Sequence, residues 1–133
     1  MDNYLLITRE QKELTALMRQ IAQKELEPLC SEMDEKSEFP FSVFHKLCDA
    51  GLYGLQIPEK YGGMGLDYQT MVMLHEELGK VDAGFAFAFF ISCSNSNAVF
   101  HNSTSDEQKQ YLADRMLKDH ALVSICITEP GAG

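Results

Sequence analysis

The chain has 133 residues, 45% of them hydrophobic, enough for one domain whose core buries roughly two thirds of its unfolded surface. Its 20 Asp and Glu outnumber 11 scattered Lys and Arg, for a net charge of −9, which excludes the clustered positive surface that DNA or RNA binding requires. No stretch approaches the ~20 apolar residues of a membrane span, and the N-terminus lacks the basic and apolar regions of a signal peptide.

Thr8-Arg9-Glu10-Gln11 reads as a capping box that opens a first helix. Leu14, Leu17, Met18, Ile21 and Ala22 then recur at helical spacing and give it one apolar face, until Pro28 should end or kink it. Ser31 to Glu38 is polar, without apolar period, and is expected as a solvated connection or frayed turn. A second helix should begin near Pro40, anchor itself through Phe41, Phe44, Leu47 and Cys48, and stop at Gly51.

Leu52 to Leu66, with Pro58 and the glycines at 54, 62, 63 and 65, has loop chemistry. Asp67 is placed to cap a third helix reaching about Gly79, with Met71, Leu74, His75 and Leu78 on one face and Val72 and Met73 widening it. Asp82 is placed to cap a fourth. The segment Ala83 to Ile91 is apolar all round, as in a helix buried on several sides. Its Phe and Ala alternation also suits a strand, but no turn signal interrupts the chain through Val99, which favours helix. Ser105-Asp106-Glu107-Gln108 is a second capping box for a fifth helix through Tyr111, Leu112 and Met116. After His120 the period changes to two. Val123, Ile125 and Ile127 alternate with Ser124, Cys126 and Thr128, so a strand is expected, running into the turn Glu129-Pro130-Gly131-Ala132-Gly133. A strand needs a neighbour for its N–H and C=O groups, and nothing upstream reads as a second strand.

Several constellations suggest chemistry and fail its spacing rules. Gly62-Gly63-Met64-Gly65 follows no strand and lacks the GxGxxG and GxxxxGK patterns, so it reads as a structural turn. His45, His75, His101 and His120 form no HxxxH or HExxH pair, and no metal-ligand spacing emerges from them and the cysteines. Cys30, Cys48, Cys93 and Cys126 show neither CxxC pairing nor the density of a disulfide scaffold, so reduced thiols in a cytoplasmic protein are expected. Ser92, Ser94 and Ser96 have no GxSxG elbow and read as small packing residues. Glu76 and Glu77 are adjacent, so they point to different sides of a helix and serve as surface or ion-pair residues.

The C-terminal Thr128-Glu129-Pro130-Gly131-Ala132-Gly133 resembles the signature of the acyl-CoA dehydrogenases, as do Ile57-Pro58-Glu59-Lys60-Tyr61-Gly62-Gly63, His75-Glu76-Glu77-Leu78-Gly79 and Ser105-Asp106-Glu107-Gln108 in the same order. The resemblance implies an all-α orthogonal bundle of about five helices over residues 1–120, with a short C-terminal extended segment, 121–133, that begins an absent middle β domain. It implies FAD as cofactor, with Ile125, Ile127, Thr128 and Gly133 as its contacts, and Ala86, Phe87, Phe90 and Ser94 as the wall of the acyl cavity. Phe87 and Phe90 there would suit a short or aromatic acyl group. The family oxidises an acyl-CoA to the 2,3-enoyl-CoA by α-proton abstraction and β-hydride transfer to flavin. Its catalytic glutamate lies in a C-terminal domain, so no catalytic residue is expected here, and the family's next two residues, Ser-Asp, would follow Gly133. Also implied are an acyl-CoA substrate, an electron acceptor such as an electron-transfer flavoprotein and a homotetramer. The chain alone is expected to be inactive. The alternatives are a stand-alone helical interaction module, or part of an acyl-CoA oxidase or related flavin monooxygenase.

Overall fold

The side chains at the start of the first helix dictate its boundary: Gln11 N–H donates to Thr8 Oγ1 at 3.1 Å and Thr8 N–H to Gln11 Oε1 at 2.9 Å, closing the capping box. The computed structural model describes residues 7–102 and 105–132, in which helix α1 (Arg9–Ile21) is followed by α2 (Cys30–Lys36), α3 (Phe41–Asp49), α4 (Tyr68–Gly79), α5 (Ala83–Asn102) and α6 (Asp106–Leu117).

Around Pro28 the first helix breaks and then resumes, the kink the sequence allows for, rather than ending outright. Having no N–H, Pro28 cannot continue the i to i−4 ladder, and the chain instead widens into a π-turn over Ala22–Leu26 and tightens into a 3-10 turn over Glu27–Leu29. Winding resumes as α2. The expected connection at Ser31 to Glu38 is therefore mostly helix, closed by Ser37 in the left-handed region (φ 53°) with its N–H on Met33 O. Only Met33 of its body touches the core, so the segment carries no apolar period to read. Counting α1 and α2 as one broken helix leaves the five that the sequence implies.

Elsewhere the caps hold. Asp67 Oδ1 accepts from Thr70 N–H at 2.8 Å, Asp82 Oδ1 from Phe85 N–H at 2.6 Å, and Ser105 Oγ from Gln108 N–H. The caps of α1 and α4 are also joined, because Gln11 Nε2 donates to Thr70 Oγ1 at 2.9 Å and that hydroxyl donates to Asp67 at 2.7 Å. Helices α4 and α5 run antiparallel: Gly79 meets Ala86, His75 meets Phe89 and Phe90, and Tyr68 meets Asn97. The core between them and α3 is aromatic, with Phe44 edge-on to Tyr53 at 5.0 Å and Tyr53 against Phe89 at 5.4 Å. Two expected anchors lie outside it. Phe41 is 53% exposed and Val72 is exposed too, since α3 and α4 each present one face to the core and these residues lie off it.

The loop from Leu52 to Leu66 is more buried than its composition suggests. Leu52, Tyr53, Leu55 and Ile57 all enter the core, and the backbone folds on itself through Gly65 N–H to Ile57 O and Leu66 N–H to Leu55 O, both at 2.9 Å. Gly63 is required there, since a Cβ would lie 2.0 Å from Ile57 O.

Helix α5 is 20 residues long and has the length and apolarity of a membrane span, contrary to the expectation that no stretch would. Its burial is that of a core helix: Phe85, Phe89, Cys93 and Phe100 pack inside the bundle. After α6 the chain turns at His120 (φ 52°), a residue type that tolerates the left-handed region. The expected strand at 122–128 forms no ladder among the described residues. Only the turn that follows pairs, Glu129 with Ala132, at 3.0 and 3.1 Å.

Glu77 is the buried charge of the bundle, 5% exposed, held by Arg19 Nε at 2.7 Å, Arg19 Nη2 at 3.0 Å and Lys80 Nζ at 2.9 Å. Hydrogen bonding to Arg19 holds its carboxyl down at about 2 from the ordinary 4.5. A depressed carboxyl contributes stability above pH ~4.5 that is lost as pH falls through the folded value near 2. Both cations are half-exposed and screened, so the pair contributes about 2 kcal/mol rather than the full shift. Glu77→Gln should flatten the acid limb of a urea-stability profile between pH ~5 and ~2; an unchanged limb would show that the pair carries no such linkage.

Candidate functional site

Two parts of the molecule carry the residues that the sequence selects: the outer face of α5 and the segment after α6. At ~100° per residue, Ala86, Phe90, Ser94 and Phe87 fall in that order on one stripe of α5 roughly 100° wide. Burial grades across it. Ala86 is buried against α4, where a Cβ on Gly79 would meet its methyl at 3.9 Å. Phe90 is half-buried, edge-on to the His75 ring at 5.5 Å. Ser94 bonds its own helix, donating to Ile91 O at 3.3 Å, and Phe87 is 65% exposed. An aromatic ring left in water on the apolar first half of the helix is a surface awaiting contact rather than core.

His75, read from sequence only as part of the α4 face, has a sharper role. Its Nδ1–H donates to Met71 O at 2.7 Å, while Nε2 is buried with no hydrogen-bond partner beside Phe89 and Phe90. Burial pushes its pKa below the ordinary 6.5, so it stands as a neutral imidazole. Nothing in its spacing announces this.

In the segment after α6, Ala121 and Val123 are tied to the bundle and everything beyond is exposed. Tyr53 Oη–H donates to Ala121 O at 2.8 Å, and Val123 N–H donates to Ser92 Oγ at 2.7 Å. Tyr53 and Ser92 also bond each other. Burial raises the Tyr53 pKa, so its proton stays available for donation. Ser92, taken from sequence as a small packing residue, is thus one of the two groups that hold the segment; a serine every second residue in an apolar helix gave no means of choosing among them.

Past that anchor, Ile125 is 54% exposed and Ile127 75%, and among the described residues the main-chain N–H groups of both find no partner. Thr128 is exposed, and Gly131 has nothing within 4 Å of where a Cβ would stand. Gly133 lies outside the described residues. Unpaired amides, a hydroxyl and apolar side chains make a donor set that fits a flat heteroaromatic ring such as flavin, with polar edges and apolar faces. No hydrogen bond or ring contact among the described residues joins this segment to Phe87, Phe90 or Ser94.

A cavity of about 270 Å³ beside Tyr53, lined in part by Cys48, Gly54, Met116 and His120, includes none of the acyl-wall candidates. Burial pushes the Cys48 and Cys93 thiols up to about 12, so neither is a nucleophile at neutral pH. The Gly62 to Gly65 turn spends the amides of Gly62, Gly63 and Gly65 on its own backbone and leaves no phosphate cradle.

Comparison with known proteins covers most of the chain. The family described as "Acyl-CoA dehydrogenase, N-terminal domain" matches residues 8–120. A 3-(aryl)acrylate reductase of Clostridium sporogenes is 31% identical over 97% of this chain and 34% of its own length. An acryloyl-CoA reductase (NADH) of Anaerotignum propionicum is 35% identical over 96% of this chain and 32% of its own. Among solved structures, the butyryl-CoA dehydrogenase of Megasphaera elsdenii superposes with a TM-score of 0.85 at 28% identity, over 100% of this chain and 35% of that one. The chain thus spans about a third of the length of the curated relatives it matches.

If Phe87 is surface rather than core, Phe87→Ala should change the urea-unfolding free energy by less than about 0.5 kcal/mol. Phe89→Ala, two positions away, should cost about 3–5 kcal/mol. Equal losses would place Phe87 inside the bundle.

Proposed function

This chain belongs to the acyl-CoA dehydrogenase family through its N-terminal domain, and from that we propose that it forms one wall of the substrate cavity of an FAD-dependent enzyme interconverting an acyl-CoA and its 2,3-enoyl-CoA. The observation that carries this reading is the free edge at 125–128. Its amides and hydroxyl are unmatched among the described residues, in a segment whose sequence resembles the family's signature.

Each part contributes by position. The unpaired N–H groups of Ile125 and Ile127 and the Thr128 hydroxyl would hold the polar edge of FAD, and the isoleucine side chains would cover an apolar face. When bound, FAD supplies the hydride acceptor or donor that the protein's own side chains lack. The exposed Phe87 and half-buried Phe90 would line the acyl end of the cavity, exclude water and limit the acyl group by their bulk. His75, neutral and packed against Phe90, adds no charge to that wall. The α-proton base, the rest of the flavin site, the electron partner and the tetramer contacts belong to further domains of the whole enzyme.

A second reading concerns direction. The two curated relatives named above are reductases, one of them of an aryl-substituted acrylate, whereas the superposed structure is a dehydrogenase. A Phe-lined acyl wall suits an aromatic or short substituent equally in either direction, so reduction of an enoyl or aryl-acryloyl group is the runner-up.

The test replaces the N-terminal third of the Megasphaera butyryl-CoA dehydrogenase with this chain. The chimera should retain FAD and its visible flavin band should bleach with a short acyl-CoA, while the 133-residue chain alone shows no bound-flavin spectrum. A chain that holds flavin or turns over acyl-CoA by itself would overturn the reading.

A further inference from the structure

Helix α5 has three serines in its middle, and they behave differently. Ser96 donates to Cys93 O at 2.6 Å and Ser94 to Ile91 O at 3.3 Å, the local back-bonding usual for a serine inside a helix. Ser92, 1% exposed, instead reaches across to the segment after α6. Its partner Tyr53 comes from the buried loop, 39 residues earlier in sequence.

Counting protons fixes the order of the bonds. Tyr53 has one hydroxyl proton and gives it to Ala121 O. The bond between the two hydroxyls must therefore be donated by Ser92, and Ser92 Oγ also accepts from Val123 N–H. The sequence is Val123 N–H to Ser92, Ser92 to Tyr53, Tyr53 to Ala121 C=O, with every donor used. Along a strand, the C=O of residue i and the N–H of residue i+2 lie on one edge and are the pair that a parallel neighbouring strand engages. Ala121 C=O and Val123 N–H stand in that relation.

We propose that Ser92 and Tyr53 are positioning residues: their linked hydroxyls stand in for a neighbouring strand and fix the register of residues 121–128, and so the placement of the edge offered by Ile125, Ile127 and Thr128. What that edge faces rests on the flavin reading above; the anchor itself does not. Its leverage comes from location. Val123 is the last residue of the segment packed against the core, and residues 124–132 are all exposed. A rotation or one-residue slip at the anchor would swap which side chains face each way along everything that follows. The pair also joins the site to the fold, because the Tyr53 ring packs on Phe44 and Phe89 while its hydroxyl holds the segment.

Amide exchange in the ¹⁵N-labelled chain, without flavin, tests this. Ser92→Ala should speed exchange at Val123 about tenfold, the loss expected for one hydrogen bond, and leave Leu74 in α4 and Phe89 in α5 unchanged. Equal Val123 exchange in parent and variant would overturn the proposal, as would a uniform rise across all three amides, which marks general loosening. Tyr53→Phe is the second arm, used if the alanine variant does not fold. It should shift the Ala121 carbonyl ¹³C resonance while raising Val123 exchange less than about threefold, because Ser92 can still accept from Val123; an unmoved Ala121 carbonyl overturns the proposal. Since neither arm contains flavin, failure here leaves the chimera experiment untouched. A chimera without FAD likewise leaves these readings standing.

Discussion

Tyr53 ties the packed bundle to the segment that leaves it after α6. Its ring lies between Phe44 of α3 and Phe89 of α5, while its hydroxyl, driven to stay neutral by burial, points out of the core to Ala121. A buried tyrosine must find a partner for its O–H, and here that obligation links the packed bundle to the exposed segment after α6. The loop that delivers Tyr53 is held by its own main-chain bonds and by a glycine, Gly63, that admits no side chain. Rigidity in that loop therefore fixes where the segment leaves the protein.

Beyond this point the architecture divides into what is finished and what is not. Glu77 has three charge-assisted bonds, and the caps of α1 and α4 are tied together through Gln11 and Thr70. By contrast, Phe87, Ile125 and Ile127 are exposed, and the amides of the final segment from Ser124 to Thr128 have no protein acceptor among the described residues. Exposed apolar side chains on α5 and an unpaired main-chain edge after α6 are what a cavity wall looks like before the remaining walls are added.

Much of this was legible in the sequence, and for identifiable reasons. Thr8, Asp67, Asp82 and Ser105 announced four helix starts because capping is local chemistry, read within four residues. The apolar body of α5 resolved as helix for want of any turn signal. What escaped depended on three dimensions. A π-turn carried the chain past Pro28 into α2, a helix too polar to show a period. Burial of Leu52 to Ile57 was hidden behind loop composition. Neither Ser92 nor Tyr53 could be picked out, since their partners lie 31 and 68 residues further along the chain and no spacing rule spans such separations. The strand at 122–128 was inferred from alternation alone, and alternation cannot form a ladder without a second strand.

On the proposed reading, the edge at Ile125 and Ile127 is completed by the flavin-bearing remainder of the enzyme and not within this chain. Hydrogen exchange of those two amides, compared between the isolated chain and the flavin-loaded chimera, addresses it most directly. Rapid exchange is expected in the chain alone and protection in the chimera, with Val123 protected in both. Protection of Ile125 and Ile127 in the isolated chain, or rapid exchange in both forms, would contradict it.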